Sequence, residues 1–300
     1  MNESKLDERH PLIKARRVDF DWAKTPLHWI PGDPVATHLV NCFHLMLPTG
    51  EKWFVQCVVD ALPEVRDAKL REEIKGFIGQ ETVHARAHQS VLEELLEAHG
   101  IDHTVLTRGT QTRIDGREEQ RRNWSAKNKR RLLMFELAYV AAAEHYTAVL
   151  GRWILQDRTW ERIGVDPTML DMLRWHGAEE IEHRSVVFDV YHHLGGTYRM
   201  RAAAFALSLV LIAYGFWPGT MELLRQDPTI KGKVTFRMVF MGYRRSVRKG
   251  HLPNLLPLLL TEAKVYLKRS HHPSQMGSTQ AALDYLATSP AAMAATRGGW

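Results

Sequence analysis

Only two of the 300 residues are cysteine, Cys42 and Cys57, and neither stands in a cluster of metal-binding spacing. That excludes a disulfide framework and a thiolate zinc site, and it implies a reducing, cytoplasmic compartment. Residues 1–20 are charged and lack the apolar stretch of a secretory signal. Low-complexity tracts are missing as well. Acidic residues become scarce along the chain: residues 1–197 hold 26 Lys/Arg against 30 Asp/Glu, a balance of −4, whereas residues 198–300 hold 14 against 4, a balance of +10. The last third is therefore suited to an anionic surface. Apolar residues make up 45% of the chain, enough for a sizeable core.

What the sequence does contain is a doubled pattern. Glu51 is followed by Glu81-Thr82-Val83-His84, and Glu144 by Glu180-Ile181-Glu182-His183. Three positions is nearly one helical turn, so each Glu-x-x-His presents a carboxylate and an imidazole to one neighbour. Two such helices with two single-Glu helices form the inward-facing set of a four-helix bundle that holds two metal ions.

Helix signals agree. Asp33-Pro34 reads as an N-cap with proline at the first position, opening a helix to about residue 62. Pro48 and Gly50 are expected to kink it or divide it in two, which makes Glu51 the least secure ligand. A second helix is expected from Asp67 to His99, closed by Gly100. Its apolar stripe includes Ile74, Phe77, Glu81, His84, His88, Leu92 and Leu95 at spacings of three and four. A Glu buried on such a stripe needs a cation.

Residues 101–124 read as a long polar crossover. The third helix, 125–156, is apolar all round near its middle except at Glu144 and His145, so Glu144 is expected in the core. The fourth is expected from Asp166-Pro167 to Gly195-Gly196, with His176, Glu180 and His183 on one side and Glu179 and Glu182 turned toward solvent or basic groups. Residues 202–221 carry no charge, about the length of a membrane span. Gly215, Pro218 and Gly219 interrupt that stretch and favour a buried or interfacial helix. Basic residues with interleaved aromatics at 231–250 fit either a membrane-surface helix or a solvated face on the bundle.

These residues resemble the ferritin-like di-iron carboxylate proteins. His176, four before Glu180, is similar to the extra histidine ligand of the arylamine N-oxygenases in that group. The span from Val18 to Tyr266 also resembles a bacterial family catalogued as predicted metal-dependent hydrolases. The resemblance implies an all-α, ferritin-like four-helix bundle at 34–197, with an N-terminal arm at 1–33, apolar and basic helices at 198–270 and a flexible tail at 271–300. It implies Glu51, Glu81, His84, Glu144, His176, Glu180 and His183 as metal ligands; His88, Tyr139, Tyr146 and Trp175 stand close enough to these in sequence to be supporting or pocket-lining positions. Gln80 departs from the commonest form of the pattern, in which an acidic residue often precedes the first Glu, and so removes one carboxylate partner open to a ligating histidine.

The function expected is a di-iron oxygenase or oxidase, with iron–manganese or two manganese ions as variants. It would use dioxygen and an electron donor to oxidise a C–H bond or an amine of a lipophilic small substrate. The alternatives are a dinuclear metal-dependent hydrolase and a non-enzymatic metal-binding bundle. The further expectations are no nucleic-acid partner, a membrane surface met through 199–250, a homodimer as an option, and a cytoplasmic location that extends to the inner face of the membrane.

Overall fold

A computed structural model describes residues 13–108, 116, 119 and 121–297. Among these residues the chain is all-α and contains no strand. Four long helices carry the doubled pattern: α1 (Pro34–Ala61), α2 (Ala68–Ser90), α3 (Ala126–Gln156) and, after the short α4 (Thr159–Arg162), α5 (Pro167–His183). Each of the four starts where a short polar side chain can take an orphan backbone N–H. Asp33 accepts from Ala36, Asp67 from Leu70, Ser125 from Asn128 and Asp166 from Met169.

Pro48 neither breaks nor divides α1, which runs through it unbroken. The proline is buried, and the packing around it outweighs the one backbone hydrogen bond lost to the His44 carbonyl. The second helix reaches His99, and Gly100 closes it at φ 80°. Its last turns loosen to π geometry over Val91–Leu96 and tighten to a 3₁₀ turn over Glu97–His99. The fourth helix is shorter than its sequence pattern, ending at His183, with a separate α6 over Val186–His193. Arg184 explains the break: its guanidinium donates to the Ile181 carbonyl, the acceptor that the next helical N–H would use, and to the Pro273 carbonyl at 3.0 Å.

Packing pairs α1 with α2 and α3 with α5. The α3–α5 crossing is close because Gly151 faces Gly177: a Cβ on Gly151 would lie 2.4 Å from the Gly177 carbonyl oxygen. Trp29, Trp160 and Trp175 are fully buried around this core, and removing such a side chain costs roughly 3–5 kcal/mol.

The N-terminal arm is ordered by specific contacts. His28 and His38 both meet Asp227 Oδ2, at 2.6 and 3.0 Å. Trp29 Nε1–H donates to Asn41 Oδ1, which turns the Asn41 amide NH₂ toward His38 Nδ1 at 3.3 Å. That leaves the His38 proton on Nε2, facing Asp227, so this triad acts as a clamp between arm, α1 and the segment at Asp227 instead of presenting a bare nitrogen to a metal.

Beyond α6 come α7 (Tyr198–Gln226), α8 (Phe236–Lys249) and α9 (Leu255–Tyr266). The apolar helix α7 continues through Pro218 and Gly219. The segment expected as a flexible tail forms α10 (Thr279–Leu286) and α11 (Pro290–Arg297), both packed on α5. Ala282, Leu286, Ala291 and Ala292 are buried there, and Asp171 anchors them through Tyr285 Oη and the Ala291 N–H. Small alanines that look featureless in sequence are what such a close contact requires. The crossover expected at 101–124 lies partly outside the described residues, as does the start of the N-terminal arm.

Candidate metal centre

The four long helices each deliver side chains to one buried volume. Glu51 comes from α1, Glu81 and His84 from α2, Glu144 from α3, and His176, Glu180 and His183 from α5. All seven are buried. Glu81 Oε1 lies 3.2 Å from His183 Nε2 and 3.5 Å from His84 Nδ1. Glu144 Oε2 is 3.1 Å from His183 Nε2. Glu180 stands between the imidazoles, with Oε1 2.8 Å from His176 Nε2 and 3.4 Å from His84 Nδ1, and Oε2 3.4 Å from His183 Nε2. Glu51 Oε1 is 3.6 Å from His176 Nε2. Four overlapping groups of three donors result: Glu81, Glu144, His183; Glu51, Glu81, His84; His84, His176, Glu180; and Glu51, His88, His176. Within each group the donor atoms lie within 4.8 Å of one another, close enough to share an ion.

Among the described residues, no group donates a hydrogen bond to either oxygen of Glu51 or of Glu81. Burial, then the neighbouring carboxylates, push Glu144 up to about 8 and Glu51 well above its usual range. His183 and His84 are raised well above theirs, because the surrounding carboxylates outweigh the burial penalty. Orphaned acceptors of this kind fit a cation: it supplies the missing partner and lets the carboxylates ionise.

The surroundings hold each imidazole in a defined tautomer. The first Glu of each motif is preceded by the residue that supports the histidine of the other. His84 Nε2–H donates to Glu179 at 2.9 Å, which leaves Nδ1 toward the site. His183 Nδ1–H donates to Gln80 Oε1 at 3.0 Å, which leaves Nε2 toward the site. Gln80 is oriented in turn, since its NH₂ donates to Glu182 at 2.8 Å and to the Lys14 carbonyl at 3.1 Å. The substitution therefore keeps the acceptor and drops only its charge. Arg16 of the N-terminal arm closes this layer, 2.7 Å from both Glu179 and Glu182. Those two acids thus meet a basic group, as the sequence implies, but Glu179 also supports the site directly. Thr147 donates to Glu180 Oε2.

On the third imidazole, His176 Nδ1 is 3.0 Å from His88 Nε2, and His88 Nδ1 is 2.7 Å from His44 Nδ1. With a cation at His176 Nε2, the proton sits on His176 Nδ1 and is donated to His88, whose own proton then faces His44. Burial and the neighbouring imidazoles lower His88 well below its usual value, so it stays neutral and able to accept. His44 is the member that pattern reading misses. It lies seven residues before Glu51, two turns away on the same face, which is the signal that could have found it.

Trp175 reaches the centre, its ring centroid 5.1 Å from that of His84. Tyr139 instead packs on Trp53 and Tyr146 on Phe205, on other faces of α3. His145 turns toward Tyr266 and His271.

Fold and site together define a helical protein with buried carboxylate–imidazole clusters of the kind that could hold metal. Residues 14–277 match the model of a family described as "Predicted metal-dependent hydrolase", and the chain belongs to that family. Membership implies a metal-dependent enzyme. Neither a curated protein nor a solved structure matches the chain.

Proposed function

We propose that the chain is a ferritin-like di-iron oxygenase or oxidase that uses dioxygen and an electron donor to oxidise a C–H bond or an amine of a lipophilic small molecule. The observation that carries this reading is the convergence of four buried carboxylates and three imidazoles from four helices, with their donor atoms turned on one another. Glu81, Glu144 and His183 would hold one ion and Glu51, His84 and His176 the second, with Glu180 between the two groups. Four carboxylates balance two divalent charges, and an all-oxygen-and-nitrogen set suits iron or manganese. When bound, such ions supply the redox chemistry that amino-acid side chains lack.

The protein's own part is to fix and to insulate. Glu179, Gln80 and His88 each accept the proton of one ligating imidazole, so that the opposite nitrogen faces the site. Trp175 and Phe77 pack edge-on against His84 and His183 and keep water from that side. Burial disfavours the ionised form of Glu144 and Glu51, and cations held here would stabilise that form.

The description of the family favours a second reading, a dinuclear hydrolase in which two ions activate water and clamp an ester or phosphate. The surroundings of the site argue for the oxidative one. Arg16, the cation nearest in the supporting network, is bound to Glu179 and Glu182 behind the imidazoles, so an oxyanion would gain no guanidinium from it. Metal analysis and anaerobic loading with ferrous ion test the proposal. A stoichiometry near two, with a transient visible absorption and oxygen uptake on mixing with oxygen, is the expected result. Protein loaded with zinc or manganese that ignores oxygen but cleaves p-nitrophenyl esters or phosphates would establish the hydrolase instead.

A further inference from the structure

The exposed face of α7 is apolar over several turns. Leu207, Val210, Leu211 and Tyr214 point outward, Val210 at 63% and Tyr214 at 77% exposure. Two neighbouring helices extend this face. Trp217 of α7 meets Phe236 and Phe240 of α8 at 5.3 and 6.4 Å, and those two rings stack on each other while remaining exposed. Phe205 of α7 stacks on Tyr266 of α9 at 4.5 Å, and α9 presents Leu256 and Leu260 outward. Tyr243 Oη, accepting from the Leu255 N–H at 2.8 Å, ties α8 to α9.

Charge selects what covers this surface. Arg237, Arg244, Arg245, Arg248 and Lys249 of α8 are exposed and form no ion pair among the described residues. Of the three acids at 198–270, Asp227 and Glu262 are buried and Glu222 is paired with Arg225. A second copy docked through the same face about a two-fold axis would set these cations against their own images. Nucleic acid would answer the cations but leave Val210, Leu211 and Leu256 wet. An anionic bilayer answers both, with acyl chains for the apolar side chains and phosphate headgroups for the cations.

We infer that α7, α8 and α9 form a docking face for an anionic membrane surface. The protein lies on the bilayer and does not thread it. Arg201 near one end of α7 is buried and donates to the Lys268 carbonyl at 2.8 Å, and Leu223 and Leu224 near the other end are fully buried. Gly219 rests against Cys42 of α1, where a Cβ would come within 2.6 Å of the sulfur. The helix cannot leave the body without exposing that core. The inference is independent of which reaction the metal centre performs.

Flotation of the full-length protein with vesicles tests it. Binding is expected to phosphatidylcholine mixed one to one with phosphatidylglycerol and not to phosphatidylcholine alone, with release at about 0.5 M salt. The double substitution Phe236→Ser and Phe240→Ser is expected to lower the partition coefficient at least about tenfold, with helical signal and metal content unchanged. Should that variant lose helical signal, the triple substitution Arg244→Ala, Arg245→Ala and Arg248→Ala carries the test, with a loss of roughly a hundredfold. Four outcomes overturn the proposal: no flotation, flotation indifferent to both sets of substitutions, a dimer in solution that the aromatic substitutions split, or retention on duplex DNA without binding to vesicles.

Discussion

His88 stands at the edge of the proposed metal centre, where its geometry favours support of a ligand over ligation. Its Nε2 lies 3.8 Å from Glu51, within ligand range, yet the same atom is 3.0 Å from His176 Nδ1 and is the acceptor of that N–H among the described residues. As a ligand it would strand the His176 proton in the core; as an acceptor it fixes His176 with Nε2 inward. Replacing a supporting partner of this kind usually weakens metal binding about 10–100-fold. His88→Leu is expected to do so in a competition titration with a chelator. His88→Gln, whose amide carries both an acceptor for His176 and a donor for His44, is expected to recover most of that loss. An equal loss in both variants, with one ligand fewer by X-ray absorption, would make His88 a ligand. The Glu-x-x-His repeat is legible in sequence because helical spacing alone places its two members together. Gln80 and Glu179 are not legible as supports, because each serves the histidine of the other motif, and that reciprocity exists only once α2 and α5 are side by side.

At the scale of elements, the distance between α3 and α5 decides whether Glu144 reaches the carboxylate and imidazole across from it. Gly151 and Gly177 set that distance by backbone contact: a Cβ on Gly151 would fall 2.8 Å from the Gly177 Cα as well as on its carbonyl oxygen. Two effects oppose each other in Gly151→Ala. Alanine favours the helix by about 1 kcal/mol, whereas overpacking costs roughly 1–3 kcal/mol and tends to the upper end where backbone must yield. The net change expected is a loss of about 1–2 kcal/mol, read by urea unfolding, together with metal content below that of the wild type because Glu144 is moved from His183. Unchanged metal content with raised stability would mean that the helices adjust without cost. Helix starts were readable because Asp33, Asp67, Ser125 and Asp166 cap locally. At Pro48 the sequence left two outcomes open, one kinked helix or two, and α1 is one helix; the stop after His183 and the helices at 279–297 were not readable, since each depends on a distant partner: Pro273 for Arg184, and Asp171 for α10 and α11.

For the whole molecule, the buried site couples stability to pH in a direction that metal should reverse. Between pH 7 and 8 an unfolded chain has ionised glutamates and neutral histidines. His44, His88 and His176, lowered in the fold chiefly by burial, are then neutral in both states and contribute nothing to the slope. Glu180, held low despite burial by His183 and His176, is ionised in both and is equally silent. What remains are groups raised in the fold: Glu144 at about 8, Glu51, His84 and His183. Each keeps a proton in the native state that the unfolded state has lost, so the stability they contribute falls as pH rises toward their folded values. With its folded value at about 8, Glu144 alone lowers stability by about 1 kcal/mol between pH 7 and pH 8, which for a chain of 300 residues is a drop of roughly 1–2 °C. Metal-free protein prepared with a chelator is therefore expected to melt lower at pH 8 than at pH 7 by at least that amount. Divalent metal should raise the melting temperature more at pH 8 than at pH 7, with protons released on binding, because the ions stabilise the ionised carboxylates that the empty fold penalises. Differential scanning calorimetry at the two pH values, with and without metal, measures both differences. A melting temperature of the chelated protein that rises between them would mean that these carboxylates are already ionised without a cation, and the electrostatic case for a metal at this centre would be lost.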